Sequence, residues 1–177
     1  MQITLTRGDI TAQDTDVVVN AANSSLLGGG GVDGAIHARG GPSILAACRR
    51  LRSEELPDGL PAGHAVATTA GALPARWVVH TVGPVYSRSE DRSALLVSAY
   101  QESLRVADEL GARSVAFPAI SAGAYGWPLA DAARLAVTAV RGSDSAVEEV
   151  RFVLFGDDAF DAFSRALAAE GGTDSAA

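Results

Sequence analysis

Residues 20–37 read Asn-Ala-Ala-Asn-Ser-Ser-Leu-Leu-Gly-Gly-Gly-Gly-Val-Asp-Gly-Ala-Ile-His. They leave a β-branched run, residues 17–20, that has the character of a strand, and enter a segment with helical character near Asp33. Four consecutive glycines, Gly28 to Gly31, let the backbone approach a ligand closely, and a helix start beside them contributes its positive dipole end. Together these features predict an anion site. A merely flexible loop is the alternative, and glycines alone do not separate the two.

Outward from this segment, short runs rich in β-branched residues recur at residues 3–7, 17–20, 64–70, 77–82, 114–118 and 150–155, each bounded by turn formers. Between several of them, residues 36–52, 92–110, 129–140 and 157–168 carry helical periodicity. Within residues 92–110 the apolar stripe Leu96, Tyr100, Leu104, Ala107 and Leu110 predicts a helix lying on a sheet. Strands that alternate with helices predict a layered α/β domain with a mixed or largely parallel sheet covered on both faces. Such folds bind ligands beyond the carboxyl ends of their strands, which directs attention to the loops after residues 20, 118 and 155.

One of those loops, Ser121-Ala-Gly-Ala-Tyr-Gly-Trp-Pro128, again follows a strand and precedes a helix, with Pro128 suited to the first helical turn. Two strand, glycine-loop, helix junctions predict a diphosphate held from both sides. Neither loop has the lysine pattern of a nucleoside-triphosphate site, so no triphosphate with Mg²⁺ is implied.

The 177 residues are enough for one domain with a substantial core, and 47% hydrophobic with 20% charged residues is ordinary for a soluble globular chain. A net charge of −7 would repel a nucleic-acid backbone, so sequence-independent nucleic-acid binding is not expected. Cys48 stands alone and cannot form an internal disulfide, and His37, His64 and His80 show no zinc spacing, so no metal is expected. Cys48, His64 and His80 are read as structural. The opening MQITLTRGDIT lacks the features of a signal peptide, and no apolar run reaches the roughly 20 residues of a membrane span, which predicts a cytoplasmic protein with no membrane partner. Residues 1–170 are expected to form the domain and residues 171–177 a flexible tail.

With these pieces in order, the sequence resembles a macrodomain of the MacroD-like class over nearly its whole length. The resemblance is carried by Gly8-Asp-Ile-Thr11, the segment from Asn20 to His37, Pro42-Ser-Ile-Leu45 with Cys48-Arg-Arg50, His80-Thr-Val-Gly-Pro84, Ala116-Phe-Pro-Ala-Ile-Ser121, Gly123-Ala-Tyr-Gly126 and the closing strand at Phe152 to Phe155. It implies a three-layer α/β/α sandwich around a central, mixed, largely parallel six-stranded sheet.

It also implies a site for ADP-ribose. Asp9 would accept a hydrogen bond from the exocyclic amine of adenine, while the Ile10 backbone reads the adjacent ring nitrogen and Phe155 stacks on the base; Phe152, Phe160 and Phe163 are expected in the core. Asn23 would bond the distal ribose, Asn20 hold the loop together, and Tyr125 cover that ribose. Gly30, Gly31 and Val32 in the first loop, with Ser121, Ala122, Gly123, Ala124 and Gly126 in the second, complete the implied binding set. Asp33 is the residue expected to carry chemistry, with Asn23 and His37 beside it; a helix N-cap is its other reading. His37 lies one turn further on, where it could orient or charge-balance Asp33. Ala124 and Trp127 depart from the commonest family pattern and lead us to expect a looser or differently lidded loop.

The activity implied is hydrolysis of mono-ADP-ribose from acidic side chains of proteins, or deacetylation of O-acetyl-ADP-ribose, without metal or organic cofactor. The expected partners are ADP-ribose, its esters and mono-ADP-ribosylated proteins; ADP-ribosylated nucleic acid is not indicated. Either Asp33 or a substrate phosphate would activate the water. A non-catalytic ADP-ribose reader and an ADP-ribose 1″-phosphate phosphatase are the alternative functions that the same pocket admits.

Overall fold

The computed structural model describes residues 1–174. Its strands are β1 (Gln2–Arg7), β2 (Val17–Ala21), β3 (Ala65–Thr69), β4 (Trp77–Thr81), β5 (Ser114–Phe117) and β6 (Glu149–Leu154), joined in one sheet of order β1-β6-β5-β2-β4-β3. All neighbours run parallel except β3 and β4, whose connection is too short for a crossover helix. The sheet is therefore mixed and largely parallel, as expected.

Helices α1 (Gly31–Gly40) and α2 (Pro42–Glu54) cover one face, and α3 (Ser93–Glu109), α4 (Leu129–Arg141) and α5 (Asp157–Asp174) cover the other. Strand alternation sorts the side chains: Val17, Val19, Val115 and Phe117 meet the three-helix layer, while Val18 and Ala116 meet the two-helix layer. An unbroken valine run suits a central strand buried on both faces. Tyr100 from α3 sits 5.0 Å from the Phe117 ring, and Phe152 and Phe163 lie 5.1 Å apart, so aromatic rings tie helices to sheet in the larger core.

Three expectations change. The helix expected over residues 36–52 is two helices, because Gly41 has φ +85° and Pro42 opens a new helix. The Gly41 N–H closes α1 on the His37 carbonyl at 3.1 Å. Phe160 is half-buried rather than a core residue, with the Arg7 guanidinium 4.4 Å above its ring. Asp33 is not the N-cap of α1, because Gly30 takes that position and Asp33 lies inside the first turn. The tail expected from residue 171 overlaps the last residues of α5, and residues 175–177 lie outside the described residues. Among the described residues no helix is long and apolar enough to cross a membrane.

Candidate active site

Because β2, β4, β5 and β6 are parallel neighbours, the loops leaving them meet at one end of the sheet. They enclose a cleft of about 630 Å³, a size suited to a small-molecule ligand. One wall is the β2–α1 loop with Asn23 and residues 29–33, the other the β5–α4 loop with residues 118–125, and Phe155 and Asp158 stand on the β6 side.

In the first loop, Gly31 (φ +59°) starts α1 with no side-chain cap. Among the described residues no acceptor takes the N–H groups of Gly31, Val32 or Asp33; the first bonded amide is Gly34, which donates to the Gly30 carbonyl at 3.2 Å. Gly34 is also a packing requirement, since a Cβ there would stand 2.6 Å from the Gly29 carbonyl oxygen.

Asp33 is 4% exposed. Its Oδ1 accepts from Asn20 Nδ2 at 2.8 Å, and its Oδ2 faces Gly29, where a Cβ would lie 3.2 Å from Oδ2 and 3.3 Å from Asn23 Nδ2. Carboxylate and amide thus converge beside Gly29 at the cleft. Asn23 also braces its own loop, donating to the Gly28 carbonyl at 3.0 Å and accepting from the Ser25 N–H at 3.1 Å. His37 Nε2 lies 3.4 Å from Asp33 Oδ1, close enough for charge interaction but not aligned as a hydrogen bond.

In the second loop Ser121 has φ +65°, a left-handed backbone that is costly for a residue with a side chain. The Gly126 N–H donates to the Gly123 carbonyl at 3.0 Å, while among the described residues the N–H groups of Gly123, Ala124 and Tyr125 meet no acceptor. Trp127 is buried and its Nε1 donates to the Pro84 carbonyl at 3.0 Å; its ring meets Tyr86 edge-on at 5.3 Å, and the Tyr86 N–H donates to the Tyr125 carbonyl at 2.8 Å. Of the two expectations, a looser or a differently lidded loop, the first does not hold, because the loop is pinned to the β4–α3 connection. A Cβ on Gly83 would meet Ser121 Oγ and stand 2.6 Å from Ile120 Cγ2, so those side chains would have to shift to admit one beneath the loop.

On the β6 side, Phe155 is 93% exposed. Asp9 Oδ1 accepts from the Thr11 side chain at 2.7 Å and the Thr11 N–H at 2.8 Å, which together hold its carboxyl below the usual range; Oδ2 lies 3.7 Å from Arg39 Nη1. Asp9, Ile10, Asn20, His37 and Gly126 are not part of the cleft lining, whereas the other anticipated residues are. Gly29 of the four-glycine run lines it as well, and so do residues the sequence did not single out, among them Gly83, Ile120, Val153 and Asp158. Gly83 was within reach in the His80-to-Pro84 motif, and Asp158 follows Phe155 by three residues; nothing in the sequence marks Val153 as lining rather than core.

Beneath the site, burial pushes His80 down to about 3, with the His37 ring adding to the effect, so His80 is neutral. Burial likewise pushes the Cys48 thiol up to about 11, helped by the Asp33 charge, so it is protonated at neutral pH.

A family model described as Macro domain matches residues 19–136. The chain is 68% identical over 165 residues to a Macro domain-containing protein of Streptomyces nogalater, covering 93% of this chain and 91% of that one. It is 48% identical over 174 residues to a Citrobacter koseri protein named O-acetyl-ADP-ribose deacetylase, covering 96% and 97%. The Oceanobacillus iheyensis macrodomain solved with ADP superposes with a TM-score of 0.92 at 39% identity, covering 96% of this chain and 91% of that one.

Proposed function

The chain belongs to the macrodomain family, and from that premise we propose that it binds ADP-ribose and hydrolyses esters joining ADP-ribose to an acyl group, whether the acetyl of O-acetyl-ADP-ribose or an acidic side chain of a mono-ADP-ribosylated protein. The observation that carries the proposal is the buried Asp33 carboxylate, fixed through Oδ1 and presenting Oδ2 beside Asn23 at the cleft. Recognition alone would not require a buried acid there, because burying a carboxylate is costly unless it is held by hydrogen bonds.

Residues 31–33 and 123–125 line the same cleft, and their N–H groups, which meet no acceptor among the described residues, suit a diphosphate. Each charge-assisted hydrogen bond contributes about 1.5–3 kcal/mol, so an acidic protein can hold an anion without a basic cluster. Phe155 offers a bare ring for adenine, and Asp9 keeps Oδ2 available for the base's exocyclic amine, with the Ile10 backbone beside it. Tyr125 and Asn23 flank the distal ribose, next to Asp33.

In the reaction, a water oxygen bonds to the acyl carbon, the bond from that carbon to the sugar oxygen breaks, and the sugar hydroxyl leaves with a proton. Asp33 Oδ2 orients the water, and the water's proton passes to Asp33 or to a substrate phosphate. Orientation supplies much of the acceleration.

The test compares ADP-ribose release from a carboxylate-linked ADP-ribosylated protein with deacetylation of O-acetyl-ADP-ribose, for wild type and Asp33→Ala, beside calorimetric binding of ADP-ribose. Wild type should cleave at least one ester, and Asp33→Ala should be slower by about 10²-fold or more while still binding. A wild type that binds ADP-ribose and cleaves neither ester is a reader.

A further inference from the structure

Asp33 is held from behind by a buried chain of polar groups that the proposed mechanism leaves unused. Asn20 Nδ2 lies 2.8 Å from Asp33 Oδ1 and 3.1 Å from His80 Nδ1. His80 Nε2 lies 2.8 Å from Thr68 Oγ1, which lies 3.0 Å from the Thr69 carbonyl. Asn20 and His80 expose no surface, and Thr68 is buried.

One hydrogen arrangement satisfies every link. If the Asn20 amide were reversed, its oxygen would stand against the Asp33 carboxylate oxygen, acceptor against acceptor; the NH₂ group must therefore face Asp33. Its second hydrogen points to His80 Nδ1, which must carry a lone pair. A neutral imidazole with a bare Nδ1 has its hydrogen on Nε2. Nε2 donates to Thr68 Oγ1, and the Thr68 hydroxyl donates to the Thr69 carbonyl. Asn20 is thus a double donor placed between two acceptors.

We infer that His80 is a positioning residue for Asp33: its Nδ1 lone pair, set by Thr68 through the tautomer of the ring, fixes the Asn20 amide so that Asp33 is gripped at Oδ1 and its Oδ2 is left to the cleft. This rests on the hydrolase reading of Asp33. The device needs an uncharged ring, because a second hydrogen on His80 would set donor against donor and reverse the amide. The groups around the ring favour the neutral form. His37 on α1 has its ring 6.3 Å away, the Cys48 thiol on α2 is 3.8 Å from Nε2 and protonated, and burial disfavours charge on His80 itself.

Two substitutions separate positioning from packing. His80→Leu fills much of the ring's volume but offers no acceptor. His80→Asn places an oxygen near the Nδ1 position but leaves a void where the ring ended, so it should be the less stable of the two. O-acetyl-ADP-ribose hydrolysis, calorimetric ADP-ribose binding and thermal unfolding are measured on both. His80→Leu should bind within about threefold of wild type while kcat falls about tenfold or more, the size expected when a hydrogen bond to a charged group is lost, and His80→Asn should recover most of that kcat despite its lower Tm. If kcat instead follows Tm across the two variants, or His80→Leu turns over like wild type, the inference is wrong.

Long-range ¹H–¹⁵N spectra of the wild type test the premise without any variant. His80 should show a protonated Nε2 and a bare Nδ1, and the opposite tautomer overturns the assignment. A wild type that binds ADP-ribose but cleaves no ester ends the hydrolase reading and this inference together. A wild type that cleaves, with His80→Leu equally fast, ends only the latter.

Discussion

Phe155 and Phe152 are three positions apart in the chain, and they have opposite environments. Phe152 is fully buried between Phe117 and Phe163, while Phe155 leaves 93% of its surface bare at the cleft rim. A ring that packs against nothing contributes little to folding, and stacking on a base is worth about 1–3 kcal/mol. Phe155→Ala should therefore weaken ADP-ribose binding about tenfold or more by calorimetry and leave the Tm within a degree or so of wild type. A large fall in Tm would show that Phe155 belongs to the core after all.

At the scale of elements, the start of α1 sets the shape of the first loop. Alanine normally favours a helix interior over glycine by about 1 kcal/mol. At Gly34 the opposite should hold, because its Cβ would press on the Gly29 carbonyl oxygen at 2.6 Å, and overpacking costs about 1–3 kcal/mol. Gly34→Ala should lower both urea stability and ADP-ribose affinity; a more stable variant would mean that the loop moves aside freely. The sequence made the elements themselves legible, since the run Val17–Val19 with its two-sided burial and the stripe through Leu96, Tyr100 and Leu104 follow directly from periodicity. It did not show the break at Gly41, because hydrophobic period is insensitive to a single left-handed residue. The acid at Asp33 and the two glycine loops were legible through their motif. The division of labour between the asparagines was not, because either amide can brace a loop. Only the fold shows that Asn20 points inward to Asp33 and Asn23 faces the cleft. Gly83 and Val153 join the lining through sheet order, which no local pattern encodes.

For the molecule as a whole, burial of neutral His80 couples stability to pH. Unfolded, the ring takes a proton near 6.5; folded, only at about 3. Between those values protons bind preferentially to the unfolded chain, so stability is complete above about pH 6.5 and falls by up to about 1.4 kcal/mol per pH unit as pH drops towards 3. Cys48 acts at the other limit: its thiol moves from 9.0 to about 11, so stability declines as pH rises between those values. Urea denaturation from about pH 5 to pH 8 should show the acid slope in wild type and a shallower one in His80→Leu; equal slopes would mean that His80 is not the group responsible. Sheet order has a consequence of a different kind. Among the described residues β1 pairs with β6 alone, Gln2 standing opposite Glu149 and Arg7 opposite Leu154. During synthesis β1 has no neighbour to join until β6 has emerged. Asp9 and Ile10, carried on the turn that follows β1, come into place only then, so a nascent chain gains the proposed adenine end of its site only after β6 has joined the five strands made before it.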